Sequence, residues 1–150
     1  MNKKVIFTVL LLLCIPLMYA QSYKRIISLA PSLTQSLYYL DAQDKLVGRT
    51  NYCVAAEGDN IPIVATAVTL SMEKAIAQKP DLVLVLGLTD AKDIETLRKF
   101  GIEVKVFESP RSFKDICDQF IDLGNLVGKS EKAKQIVEES KAKISEIQKQ

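Results

Sequence analysis

Histidine is absent from all 150 residues, and so is tryptophan. Without imidazole no Ser-His-Asp or Cys-His pair can form, and HExxH zinc sites lose their ligands. Cysteine is sparse at three residues, glycine at six and proline at five, which excludes a disulfide-dense mini-protein and a collagen-like repeat. Charge of one sign is missing too. Twenty Lys and Arg oppose eighteen Asp and Glu, and the first twenty residues carry Lys3 and Lys4, so the remainder is neutral. A neutral body is a poor polyelectrolyte, so nucleic acid is not an expected partner. The segment Ala30-Pro31-Ser32-Leu33-Thr34 lacks the glycines of a dinucleotide fingerprint, and neither a P-loop nor a GxSxG elbow occurs. What is present is 48% apolar and 25% charged residues, a globular composition and not that of a disordered tail.

The amino terminus follows a secretory plan. Lys3 and Lys4 begin it, Val5 to Met18 is apolar apart from Thr8 and Pro16, and Tyr19-Ala20 precedes polar Gln21-Ser22. These are the regions of a signal peptide spanning residues 1–20, with export to the periplasm or another extracytoplasmic space. The run falls short of the roughly 20 apolar residues of a bilayer-spanning helix. Leu13 precedes Cys14 where a lipobox requires a small residue, which argues against a lipid anchor. Export leaves Cys53 and Cys117 as the sole candidate disulfide pair. Cys117 shares a helical face with Phe113, Ile116 and Phe120, whereas Cys53 follows Tyr52 in a loop, so both read as separate small hydrophobes.

From Arg25 onward, strand and helix signals alternate. Strands are expected at Arg25–Leu29, Leu46–Gly48, Ile61–Ala65, Leu82–Leu86 and Val104–Phe107. Leu82–Leu86 is an unbroken apolar run, the mark of a strand covered on both faces. Glu103 and Lys105 alternate outward beside Val104 and Val106, which places that strand at an edge. Between them lie a helix through Leu33, Leu37 and Leu40 capped by Ser32 or Thr34, and one at Met72–Gln78 capped by Ser71. A third bears Ile94, Leu97 and Phe100, is capped by Asp90 and Asp93, and is closed by Gly101. A fourth spans Phe113–Leu123 with the Ser112/Asp115 cap. The pattern defines an α/β fold, a parallel sheet with helices on both faces. Ser130 then opens a long polar helix whose narrow apolar stripe is Ala133, Ile136, Val137, Ile144 and Ile147.

Open parallel sheets bind ligands in the crevice at the carboxyl ends of their strands. The loops leaving those ends are Pro31-Ser32, Asn51-Tyr52-Cys53, Thr66-Ala67-Val68, Gly87-Leu88-Thr89 and Ser109-Pro110-Arg111. They offer an aromatic face, hydroxyls, one Arg and backbone amides, without a convergent acid and base. Such a rim suits holding a bulky ligand and not transforming it.

Several blocks carry a specific resemblance. Arg25-Ile26-Ile27-Ser28-Leu29-Ala30-Pro31-Ser32-Leu33-Thr34, Asp44 through Cys53, Glu73 with Ile76 and Lys79-Pro80-Asp81-Leu82-Val83, and Leu97 with Gly101-Ile102 and Val104 occur in order. They resemble the periplasmic substrate-binding proteins of ABC importers for cobalamin, ferric siderophores and haem. Ala65-Thr66-Ala67 departs from a Gly pair frequent in that family. The resemblance implies an amino-terminal lobe at residues 21–128 and the start of an interlobe helix at 129–150, with the second lobe not encoded, by truncation or as a half-protein. It implies Pro31, Ser32, Tyr52 and Cys53 as one ligand wall, joined by Gly87, Leu88 and Arg111. It implies Glu73 as a docking residue for ABC permease subunits in the membrane. No cofactor is expected; the corrinoid, ferric siderophore or haem is cargo, and no enzymatic activity is implied. The competing readings are a small exported α/β enzyme using Cys53 or Glu73, and an interaction module acting through the last helix.

Overall fold

The computed structural model describes residues 22–66, 69–87 and 89–149; the leader expected at residues 1–20 lies outside them. Five strands form one parallel sheet: β1 (Ile26–Ser28), β2 (Leu46–Thr50), β3 (Ile63–Ala65), β4 (Leu82–Leu86) and β5 (Glu103–Phe107). Their order is β3-β2-β1-β4-β5, so the chain builds outward in one direction and then crosses back over β1 to build in the other. Five helices connect or follow them: α1 (Pro31–Tyr39), α2 (Met72–Ala77), α3 (Ala91–Lys99), α4 (Phe113–Leu126) and α5 (Ser130–Ile147). A short 3-10 turn, Gln43–Lys45, feeds β2.

Strand periodicity of two divides the apolar residues between two cores. Ile26, Leu82, Leu84 and Phe107 face Leu33, Leu37 and Leu40 of α1, Leu123 of α4 and Ala133 of α5. Their immediate neighbours Ile27, Val83 and Val85, together with Val104 of β5, face the opposite side, against Val64, Ala75 of α2 and Leu97 of α3. β4 is buried along Leu82–Val85, and β5 is an edge strand with Glu103 exposed, both as the sequence pattern requires.

The helix starts depart from expectation in three places. Neither Ser32 nor Thr34 caps α1: Ala30 occupies the N-cap with no side-chain bond, and Pro31 is the first helical residue. Proline presets the helical φ and has no N–H to satisfy, so Thr34 turns inward instead. Ser71 stands at the N-cap of α2, but its side chain accepts no capping bond. At α3 only Asp90 caps, accepting from the Lys92 N–H at 2.8 Å. The Ser112 cap is present, its Oγ accepting from the Asp115 N–H at 3.1 Å. Helix α4 runs to Leu126, beyond the expected Leu123. Its apolar face is also only partly covered: Cys117 is buried while Ile116 is 53% exposed. Gly101 closes α3 at φ +75°, a left-handed conformation suited to glycine.

Helix α5 has 18 residues, a length of about 27 Å at 1.5 Å per residue. It lies against α4 at Gly124, where an added Cβ would overlap the Ala133 Cβ and sit 3.2 Å from the Lys129 carbonyl. Ala133 and Val137 are buried there, whereas Ile147 at the far end is exposed.

Candidate functional site

The carboxyl ends of the strands open onto a cleft of about 560 Å³. Its floor is Leu29 and Leu86 after β1 and β4. Its walls are Ala30 and Pro31 at the start of α1, Thr50 at the end of β2, Thr66, Thr69 and Leu70 beyond β3, and Thr89, Asp90 and Asp93 at the start of α3. A second hollow of about 600 Å³ adjoins the ends of β4 and β5, lined by Gly87, Glu108, Ser109, Pro110, Arg111, Asp115, Asp118 and Gln119. A larger groove of about 770 Å³ runs along α5 between Glu131, Lys132, Lys134, Gln135 and Glu138. It is an open channel between solvated charges, away from the strand ends.

A chain of buried hydrogen bonds fixes the geometry of the first cleft. Ser28 and Thr34 are fully buried. The Thr34 hydroxyl lies 2.8 Å from Ser28 Oγ and 3.1 Å from the Ala30 carbonyl, and Ser28 Oγ reaches the same carbonyl at 3.2 Å. These contacts hold the β1–α1 turn that carries Pro31. At the end of β2, Thr50 Oγ1 accepts from the N–H groups of Tyr52 and Cys53, each at 3.2 Å. The Arg49 guanidinium donates to the Cys53 carbonyl at 2.7 Å. Farther out, the Tyr38 hydroxyl donates to Asp59 at 2.6 Å and accepts from the Ala56 N–H at 3.1 Å. Burial, then the bond to Asp59, pushes the Tyr38 phenol above its ordinary range. The loop 51–60 is therefore tied at both ends, and it presents Tyr52 61% exposed to solvent.

The residues expected at the site separate into groups. Pro31 lines the cleft, with exposed Ser32 beside it on the first turn of α1. Gly87 and Arg111 line the second hollow. Leu88 lies outside the described residues. Cys53 does not present its side chain: it is 2% exposed, with Sγ 3.2 Å from the Thr50 hydroxyl and 3.7 Å from the Ser28 carbonyl. The physical reason is the Thr50-capped turn, which points Tyr52 out and its successor in. Neither neighbour activates a thiol, and both Cys53 and Cys117 are free and buried. Glu73 is exposed on the first turn of α2 and contributes to neither hollow.

Sequence reasoning missed Thr50, Thr69 and Glu108 as lining residues, and read Asp90 and Asp93 only as helix caps. Their positions at strand ends and in first helical turns were the available signal.

The crossover sheet opens its cleft at the strand ends, where open parallel α/β sheets place their ligands. The sequence profile described as "Periplasmic binding protein" matches residues 26–150, and the chain belongs to that family. It is 33% identical over 129 residues to the ABC transporter substrate-binding lipoprotein YvrC of Bacillus subtilis, covering 83% of this chain and 41% of that protein. It is 33% identical over 124 residues to a vitamin B12-binding protein of Vibrio vulnificus, covering 80% of this chain and 44% of the relative. Among solved structures, the periplasmic heme binding protein HutB of Vibrio cholerae superposes with a TM-score of 0.78 at 20% identity. That superposition covers 84% of this chain and 49% of the other, a likeness of fold. The chain thus spans under half the length of these curated relatives.

Proposed function

We propose that this chain supplies one ligand-holding lobe of the extracytoplasmic substrate-binding component of an ABC importer, and that the cargo is a metal chelate: a corrinoid, a ferric siderophore or haem. The observation that carries the reading is the strand-end cleft, with Tyr52 exposed two residues beyond its wall residue Thr50 and outside the lining of either hollow, in a chain of the periplasmic binding protein family. A planar macrocycle or wrapped chelate gains from an exposed aromatic face and hydroxyl donors at a rigid rim. The described cleft lining holds no Cys, Ser or Lys, which favours binding over turnover. The cargo is transported and not used as a cofactor, and the lobe follows the leader at residue 21.

One wall buries only part of a ligand, whereas small-molecule sites cover roughly 70–90% of theirs. Titration with cyanocobalamin, haemin and a ferric trihydroxamate is expected to give a dissociation constant above about 1 µM for at least one. Absence of binding to all three at millimolar concentration defeats the reading.

Permease docking falls to Glu73. It is exposed, outside both hollows and on the helix that leaves the ligand-bearing end of the sheet, where a carboxylate can meet an arginine fork. Glu73→Arg is expected to abolish association with the cognate permease and leave chelate affinity within about twofold. Loss of chelate binding in that variant would move Glu73 into the ligand site.

A further inference from the structure

We infer that the cargo presents no net negative charge to this lobe: the cleft selects neutral or cationic metal chelates and disfavours anionic ones. The inference rests on the chelate-binding reading above and narrows it. Among the described residues, the cleft lining holds two carboxylates, Asp90 and Asp93, and no Lys or Arg. The asymmetry is local, because acids and bases are nearly balanced over the whole chain.

Their environments keep both charges available to a ligand. Asp90 spends Oδ1 on the Lys92 N–H, which fixes its carboxylate at the cleft wall and leaves Oδ2 free. Asp93 is half-buried, and its side chain makes no hydrogen bond or salt bridge with any other described residue. The adjoining hollow repeats the sign. Glu108 lies over Gly87, with Oε2 3.1 Å from where a Cβ would stand, and no described base pairs with it. Asp118 there is offset by its bridge to Lys114, and Asp115 accepts the Arg111 N–H at 2.9 Å. That leaves Arg111 as the one cation among the described residues of the outer hollow, outside the cleft itself.

The opposing field comes from helix ends. The start of α1 carries no acidic residue and contributes about half a positive charge. The start of α3 is covered by Asp90 and Asp93 themselves. Two full negative charges outweigh one such dipole end. A tris-catecholate iron complex, or a porphyrin turning its propionates inward, would meet repulsion here. A corrinoid clothed in amides, or a ferric trihydroxamate bearing an ammonium group, would not.

Two matched probe pairs test this with the intact chain. The first is a linear ferric trihydroxamate with a free terminal amine and the same complex succinylated on that amine. The second is aquocobalamin and a cobalamin with one side-chain amide hydrolysed to a carboxylate. Within each pair that binds, the less negative member is expected to bind about tenfold more tightly at low salt, equivalent to about 1.4 kcal/mol. The gap should close towards unity in 0.5 M salt and in the Asp90→Asn/Asp93→Asn double variant. That variant keeps a competent N-cap, and its circular dichroism verifies the fold. Equal or tighter binding of the anionic member, or a gap unchanged in the double variant, overturns the inference and leaves the chelate reading intact. Failure of all four probes to bind at millimolar concentration overturns both.

Discussion

Substituting Gly124 with alanine tests how the long helix is seated. The new Cβ would overlap that of Ala133 and come within 3.2 Å of the Lys129 carbonyl. Ala133 is fully buried, and the carbonyl belongs to the α4–α5 connection, where the Lys129 N–H in turn bonds Gly124 O at 2.7 Å. No flexible side-chain end is available to move aside, so α5 must shift bodily. Overpacking of this kind costs about 1–3 kcal/mol, and a backbone-limited contact belongs at the upper end. Alanine in a helix interior recovers about 0.8–1 kcal/mol over glycine. The net expectation is a loss of about 2 kcal/mol. For a domain of this size that is a fall in Tm of about 6–10 °C. Urea denaturation of Gly124→Ala, Ala133→Gly and the double variant completes a cycle. The double variant moves the methyl from one helix to the other, so a favourable coupling of about 1.5 kcal/mol is expected. A Gly124→Ala protein as stable as the parent, or a cycle without coupling, would refute the close approach of the two helices.

Two further outcomes follow from the described contacts. Thr34→Val keeps the shape and removes the buried hydroxyl that meets Ser28 Oγ and the Ala30 carbonyl. A loss of about 1–3 kcal/mol is expected by urea denaturation, with Thr34→Ser retaining most of the stability; equal stability of the two variants contradicts the bond. The hydrogen bond from Lys132, and then its charge, hold the Asp41 carboxyl below the usual carboxylate range. A depressed folded-state pKa contributes stability above the unfolded value near 3.9, and that contribution fades as pH falls through the folded value. The urea midpoint of the parent should therefore converge on that of Lys132→Met below about pH 4, and a difference constant from pH 2.5 to 6 would contradict the pair.

The sheet was legible in the sequence because its signals are local and redundant. Leu82–Leu86 reads as a covered strand from five consecutive apolar residues, and Glu103 and Lys105 mark the edge by alternation. The caps were less legible because a hydroxyl serves two purposes with the same chemistry. Thr34 can satisfy a helix start or a buried neighbour, and only the fixed φ of Pro31 and the nearness of Ser28 decide for the second. Topology alone located the cleft, since parallel strands end together. Which side chains turn into it was another matter. Cys53 faces inward because Thr50 folds the turn beneath it, a contact between residues three apart that composition does not announce. Asp90 and Asp93 have an obvious local task at α3, which concealed the fact that their loop borders the cleft.

The partition of apolar residues by the sheet has a consequence for change over time. Ile26 and Ile27, or Leu84 and Val85, are covalent neighbours that fall in different buried clusters, whereas Ile26 shares a compartment with Val127, a hundred positions away. Substitutions at adjacent codons should then accumulate almost independently, while compensating ones arise at remote codons within the same compartment. The two halves of the interior are separate fields of variation divided by a hydrogen-bonded wall, and a variant library built on one side can be selected without reopening the other.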